Sequence, residues 1–177
     1  MSPVDAYSEF LKKDLGSLIE ALKLEEIQKH FLRSRWLDQV LWMEAKADSA
    51  QKRYYTVRLV AIIGGVLVPA LVSLNMVGWT KWITFVVSLL VAISIAIEEF
   101  FHYGERWRHY RRSVELLKIE GWLFFQLSGP YQAFSQHSEA YSQFGGKIEE
   151  ILQHEVDMYI SQVVKEKEEE KKKGTVG

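Results

Sequence analysis

The feature that most constrains this chain is an almost uncharged stretch from Leu59 to Ile97. Lys81 is the only charged residue in these 39 positions, although Lys, Arg, Asp and Glu make up 25% of the whole sequence. The stretch contains two apolar runs, Leu59–Val77 with 19 residues and Trp82–Ile97 with 16. As a helix the first run is about 28 Å long, close to the roughly 30 Å hydrocarbon core of a bilayer. Two such runs predict membrane spans, because a small chain has too little other protein to cover them.

The connection between the two runs, around Gly78, has room only for a tight turn. The runs are therefore predicted to form an antiparallel hairpin with both chain termini on one side of the membrane. Basic residues identify that side, since cytoplasmic loops are enriched in Lys and Arg. They cluster outside the hairpin, at Lys46, Lys52, Arg53 and Arg58 before it and at Arg106, Arg108, Arg111 and Arg112 after it. Both termini are expected to be cytoplasmic.

The predicted fold class is an all-α membrane protein: a two-helix transmembrane hairpin with long cytosolic helical extensions that form an oligomeric bundle. Residues 5–30 show the three- and four-residue apolar spacing of one amphipathic helix. The second span is expected to continue into the cytosol without a break. In chain order, the expected regions are cytosolic N-terminal helices (1–58), the hairpin (59–97, with spans at 59–77 and 79–97), a cytosolic helical region (98–165) and a charged disordered tail (166–177).

Composition and motifs exclude several classes of protein. The chain has no cysteine, so it has neither disulfides nor Cys-ligated metal, and its formal net charge of −1 gives no bulk attraction to nucleic acid. The basic cluster from Trp107 to Arg112 starts close to the expected bilayer, where contact with lipid headgroups explains it. No phosphate-binding glycine loop, zinc-protease motif or nucleophile elbow occurs. We expect no enzymatic activity, no catalytic residues, no metal site and no cofactor.

The second apolar run carries small or polar side chains along one face and ends in acid. At 100° per residue, one stripe contains Thr84, Ser88, Ala92, Ile95 and Glu99, while Glu98 points about 80° away from Ser88. In a structural interpretation, Ser88, Ala92 and Ala96 let helices approach closely, and Glu99 pairs with His102 or Arg106. In a functional interpretation, several copies arrange the stripe around an axis. A ring of Glu99 carboxylates then attracts cations at the mouth of a pore.

The first apolar run offers a weaker stripe of the same kind. Ala61, Gly64 and Gly65 permit close helix packing, and Pro69 removes a backbone donor and can kink the helix. Asn75, at the far end of the run, is interpreted either as part of a pore mouth or as a turn residue. Packing is the simpler role for this helix.

Three stretches carry a resemblance to a known group of proteins. They are RWLDQVLWME before the first run, RYYTVRLVAIIGGVLVPAL into it, and WRHYRRSVELLKIEGWLFFQLSGPY after the second run. Their pattern resembles the SLATT superfamily of bacterial two-transmembrane-helix proteins, in its branch described as a domain of unknown function. The most specific positions are Tyr110, Arg111, Glu115, Leu117, Lys118, Glu120, Trp122 and Phe124, followed by Gly129-Pro130-Tyr131.

The resemblance implies a bacterial inner-membrane protein and a pore-forming effector in defence. Combined with the acidic stripe, it leads to the expectation of a homo-oligomeric, cation-selective channel of four to six copies. Its expected partners are further copies of itself, the lipid bilayer, the permeating cations and a cytosolic regulatory partner, with no nucleic acid. The alternative is a non-conducting membrane scaffold that docks a cytosolic partner.

Overall fold

The structure, a computed structural model, describes residues 3–73 and 78–174. Every regular element in these residues is helical, which confirms the prediction of an all-helical chain. In chain order the elements are α1 (Pro3–Ala21), α2 (Glu26–Phe31), a π-helical segment (Leu32–Leu37), α3 (Asp38–Ser73), α4 (Thr80–Phe101), α5 (Tyr103–Phe125), a 3₁₀ turn (Gly129–Tyr131) and α6 (His137–Gly174).

The N-terminal helix predicted over 5–30 is divided in two. α1 ends at Ala21, and α2 starts where the side-chain oxygen Oε1 of Gln28 accepts the backbone N–H of Glu25 at 3.1 Å. This local bond satisfies a donor that the first turn of a helix leaves free, so it favours a new helix start. From Glu26 to Ser73 the chain is helical throughout, with a π-type bond from the Asp38 N–H to the Arg33 carbonyl.

The last helix is longer than the sequence pattern predicts. α6 runs through Gly145 and Gly146 without a break and continues to Gly174, over most of the segment expected to be a disordered tail. Residues 165–173 are all Lys or Glu. Both residue types are good helix formers, so the same composition that suggests a solvated segment also supports a helical backbone.

The chain divides into two compact units, which we name by their contents. The hairpin unit is Met43–Arg111, and the bundle unit is Met1–Trp42 together with Arg112–Gly177. The hairpin unit extends beyond the apolar stretch 59–97 because polar contacts join its open end. Arg111 donates to the buried carboxylate of Glu44 at 2.6 Å, a pairing that the sequence did not suggest.

The centre of the bundle unit is the indole of Trp36. This side chain is 1% exposed, and its ring N–H donates to the Leu117 carbonyl at 2.9 Å. The ring lies directly against Gly121, where an added Cβ would be 2.1 Å from the indole. A buried indole needs a hydrogen-bond acceptor, and here the backbone of α5 provides it. The contact fixes the π-helical segment against α5.

Aromatic and polar contacts close the rest of this core. The rings of Phe124 and Phe144 stack with centroids 4.4 Å apart. The buried phenol of Tyr131, in the Gly-Pro-Tyr turn, donates a hydrogen bond to the buried Glu120 carboxylate. Burial raises the pKa of the Tyr131 phenol, and the bond to Glu120 raises it further, so the phenol remains a donor. Several of the positions that carry the resemblance to a known superfamily are therefore core residues, namely Leu117, Glu120, Phe124 and Tyr131.

The two apolar helices pack in the hairpin unit through Gly64 of α3. A Cβ at Gly64 would lie 2.1 Å from the Cγ2 atom of Val91 in α4, so the backbone of α3 contacts a side chain of α4 directly.

Helix Glu26–Ser73 and helix Lys81–Phe101 are long and apolar enough to cross a membrane, with mean hydropathies of 2.0 and 2.1 in their most apolar segments. Almost none of the residues in these two apolar segments are buried, whereas the core helix of a soluble protein is mostly buried.

Replacing Gly121 by alanine should destabilise the bundle unit. The new methyl group would occupy the volume of the Trp36 indole, and overpacking of this kind costs about 1–3 kcal/mol. Gly145→Ala is the matched control, since nothing lies within 4 Å of its Cβ position. Because alanine is the better helix former, the control should gain about 0.4–1 kcal/mol. Thermal unfolding of the full chain followed by circular dichroism measures both, and equal shifts would contradict the Trp36 contact.

Gly64→Ala should destabilise the hairpin unit by about 1–3 kcal/mol, because the methyl group collides with Val91. Its neighbour Gly65 provides the control, since its Cβ position is open. Gly65→Ala should leave stability unchanged or raise it. The measurement is denaturant-induced loss of helicity for detergent-solubilised protein. If Gly65→Ala proved the more damaging change, the helices would be packed through another face.

Candidate functional site: the end of the second apolar helix

The second apolar helix ends at a single left-handed residue, His102. Its backbone has φ 50° and ψ 42°, and its N–H donates to the Glu98 carbonyl at 2.9 Å. α5 starts at the next residue, so the predicted continuous helix from 79 into the cytosolic region is wrong at this point. Such a residue closes one helix and redirects the chain, although non-glycine residues seldom adopt this conformation.

The carboxylate of Glu98 caps the new helix. Its Oε1 atom accepts the backbone N–H of Gly104, in the first turn of α5, at 3.1 Å. A negative charge here satisfies one free donor and interacts favourably with the positive end of the helix dipole. The second oxygen, Oε2, is buried without a hydrogen-bond partner among the described residues. Glu98 is thus a structural acid whose carboxylate is only half satisfied.

Aromatic side chains press against this junction. A Cβ at Gly104 would lie 2.8 Å from the Tyr54 ring of α3, so only glycine fits there without a shift. Tyr54 stacks on Trp107 with ring centroids 5.9 Å apart, and the Arg53 guanidinium lies 5.7 Å from the centre of the Tyr103 ring. These contacts hold the start of α5 beside α3.

Glu99 differs from Glu98 in exposure and in hydrogen bonding. It is exposed, and in the part of the chain that the structure describes it forms no ion pair or hydrogen bond. The pairing with His102 or Arg106, expected in the structural interpretation, is absent. The His102 ring instead lies with its Nδ1 atom 3.3 Å from the Phe100 carbonyl. Among the residues that the structure describes, Glu99 is therefore an unpaired carboxylate at the end of α4.

The predicted polar stripe of α4 is split between two environments. Thr84 and Ser88 are half-buried, and the Ser88 hydroxyl donates to the Thr84 carbonyl at 2.8 Å. Further along, the stripe residues Ala92, Ile95 and Glu99 are exposed, as is Ala96. The face that packs against α3 is instead centred on Val91 and on Ser94, which is 9% exposed.

The residues singled out in the first run also separate. Ala61 is half-buried and Gly64 is the close contact with α4, whereas Gly65 has open space around it. Pro69 is exposed inside α3, which continues past it to Ser73. Asn75 lies outside the described residues.

A groove of about 280 Å³ opens between α3 and α4 near this junction. Its polar lining comprises one cation, two carboxylates and one hydroxyl, and the rest of its lining is apolar. The lining residues are Arg58, Ser94, Glu98 and Glu99, with Val57, Ala61, Ile62 and Ile95. Sequence reasoning used Arg58 only for topology and overlooked Ser94. The available signal was spacing, since Ser94 is one helical turn before Glu98.

A family model covers most of this architecture. The model for a family described as "Protein of unknown function (DUF4231)" matches residues 38–139, more than half of the chain. The chain belongs to the DUF4231 family. No curated protein and no solved structure matches it significantly. The DUF4231 region begins with α3 and includes α4, α5 and the 3₁₀ turn, so it contains the groove and the helix junction.

Within this DUF4231 protein, Glu98→Ala should open the first turn of α5, whereas Glu99→Ala should not. Loss of a helix cap costs about 0.5–2 kcal/mol, so the Gly104 amide should exchange with solvent several-fold faster. Residue-resolved hydrogen exchange on the detergent-solubilised chain gives the measurement. Equal protection of Gly104 in both variants would show that Glu98 does not cap the helix.

Proposed function

We propose that this DUF4231 protein is a homo-oligomeric membrane pore that favours cations. The supporting observation is the exposed, unpaired Glu99 at the end of an exposed face of α4. Glu98 already provides the cap of α5, whereas Glu99 forms no hydrogen bond or ion pair among the described residues. Acidic rings at a pore mouth concentrate cations, and ionisable groups at the membrane edge are functional candidates.

Two further features support assembly. The apolar segments of α3 and α4 are almost entirely exposed in the single chain. Two helices cannot enclose an ion path by themselves, so several copies are needed. We propose four to six copies, with Ala92 and Ile95 of each copy lining the path above Glu99. Ile95, 56% exposed, would form an apolar constriction one helical turn from the acidic ring.

The proposed setting is a bacterial inner membrane with both termini in the cytoplasm. The basic residues on both flanks of the hairpin support this orientation. The resemblance to the SLATT superfamily supports a role as a pore-forming effector in defence, with a cytosolic regulatory partner. A pore conducts ions and catalyses no reaction, so the same proposal makes the protein non-enzymatic.

A non-conducting scaffold is the second candidate. It is favoured by the Ser88 hydroxyl, which donates to its own helix and is half-buried, so the stripe offers fewer polar groups to a water-filled path. A surface cavity of about 440 Å³ in the bundle unit would then receive the cytosolic partner. Its lining consists of Glu120, Pro130, Tyr131, Gln143, Gly146, Lys147 and Glu150.

Planar-bilayer recording separates the two candidates. The purified protein should carry cation-selective current, and Glu99→Gln should lower the cation-to-anion permeability ratio about fivefold, as expected for losing roughly 1 kcal/mol of attraction. Glu105→Gln, which removes an exposed acid from α5, is the control and should leave selectivity unchanged. Absence of current from an assembly verified by mass measurement would favour the scaffold, as would failure of thiol reagents to reach Ala92→Cys from water.

A further inference from the structure

The groove between α3 and α4 holds opposite charges that do not meet. Arg58 and the carboxylates of Glu98 and Glu99 line it, yet none of the described ion pairs joins Arg58 to either acid. The Arg58 guanidinium instead lies 5.6 Å from the centre of the Tyr54 ring. Opposite charges that share a groove without contact leave room for a ligand carrying both signs.

One buried polar atom in the same groove lacks a partner, the Oε2 atom of Glu98. An unsatisfied group of this kind costs about 1–3 kcal/mol, and more when charged, so a ligand that supplies donors and positive charge is favoured. Ser94 also lines the groove, and no hydrogen bond of its hydroxyl occurs among the described residues, so this hydroxyl is available to the same ligand.

The chemistry of the groove defines that ligand. Arg58 suits an anionic oxygen group such as a phosphate, because guanidinium binds phosphate in two-point geometry. Ser94 with the two glutamates suits a primary ammonium, which donates three hydrogen bonds. A bare metal ion fits less well, since the adjacent guanidinium repels it and only two carboxylates are present.

The apolar part of the groove indicates that this zwitterion belongs to a lipid. Ile62 and Ile95 line the groove and are 57% and 56% exposed, so its wall continues into the apolar surface of the two helices. Arg58 immediately precedes the first apolar run, and the acids immediately follow the second. In an inserted hairpin, headgroups lie at this level and acyl chains lie alongside the runs.

We propose that this groove binds the headgroup of a zwitterionic phospholipid with a primary ammonium, as in phosphatidylethanolamine. The phosphate contacts Arg58, and the ammonium contacts Ser94 and the two carboxylates. This inference rests on the membrane insertion in the proposed function. A bound headgroup covers Ile95 and Glu99, so lipid binding and pore lining exclude each other within one subunit. The lipid thereby regulates assembly of the conducting state.

Native mass spectrometry of the full chain released from detergent tests the binding. Titration with phosphatidylethanolamine, phosphatidylcholine and phosphatidylglycerol separates the possibilities. The ethanolamine lipid should bind about tenfold more tightly than the choline lipid, whose methylated ammonium donates no hydrogen bond. Preference for phosphatidylglycerol would show that Arg58 attracts anionic lipids in general, and it would overturn the proposal. Equal binding of all three lipids would also overturn it.

Variants locate the bound headgroup. Ser94→Ala and Arg58→Gln should each weaken binding of the ethanolamine lipid about tenfold, with Arg58→Lys retaining part of it. Glu105→Gln and Arg106→Gln remove exposed charges outside the groove and should not change it. Glu98 is left intact because it caps α5. Unchanged binding in both groove variants, with helicity preserved, would place the lipid elsewhere.

The same material separates this inference from the proposed function. Resistance to alkaline extraction from membranes establishes insertion, and bilayer current reports the pore. Selective lipid binding, together with absence of current in a bilayer that contains no ethanolamine lipid, would leave the groove assignment standing and overturn the pore. Current without selective lipid binding would support the pore and overturn the lipid assignment. A second copy in the groove predicts a dimer that the ethanolamine lipid does not dissociate, which also overturns the lipid assignment.

Discussion

The hydrogen bond from the Gly104 amide to the Glu98 carboxylate is the contact on which the hairpin unit depends. The left-handed His102 ends α4 and leaves the first N–H groups of α5 without helical acceptors. In a poorly hydrated setting each such group costs about 1–3 kcal/mol, so the chain must supply an acceptor. Glu98 does so, and its side chain therefore points toward the start of α5. Since neighbouring helical residues point 100° apart, Glu99 is directed away from the cap and into the open.

Close approach of helices depends on a few glycines, and the surrounding residues decide which ones. At Gly64, Gly104 and Gly121 a Cβ would collide with Val91, Tyr54 and Trp36, respectively. Each glycine thus sets a helix separation that a methyl group would increase. Gly65 and Gly145 are also helical but have open surroundings. Neighbouring glycines in one helix are therefore not equivalent, because they differ by 100° around its axis.

The proposed pore and the proposed lipid site use the same face of α4. The exposed Ile95 and Glu99, which line the proposed pore, also line the groove together with Arg58 of α3. A ligand that satisfies the buried Glu98 oxygen and the Ser94 hydroxyl gains most when α4 is not covered by another copy. Under these two proposals assembly and ligand binding are alternatives, as a switch between two states requires.

Most of the fold follows from residue patterns that are local. The apolar runs, the helical periodicity and the lack of strand-like alternation predicted an all-helical chain with two helices long enough to cross a membrane. Residues 166–174 are helical although composition predicted a disordered tail. Composition could not separate the two outcomes, because segments of Lys and Glu are both well solvated and helix-forming. The break at His102 was missed because no proline or glycine marks it, and the residue that makes it acceptable, Gly104, is two positions later.

The sequence by itself determined the helices, the apolar surface and the presence of acid beside it. Only the tertiary structure decided which acid caps a helix and which remains free, since Glu98 and Glu99 are chemically identical and adjacent. It also decided which glycine of the Gly64-Gly65 pair faces α4, and that Ser94 and Arg58 meet in one groove. The physical reason is that the sequence pattern fixes the spacing of side chains along one helix. Which residues of another helix these side chains contact depends on how both helices are rotated about their axes.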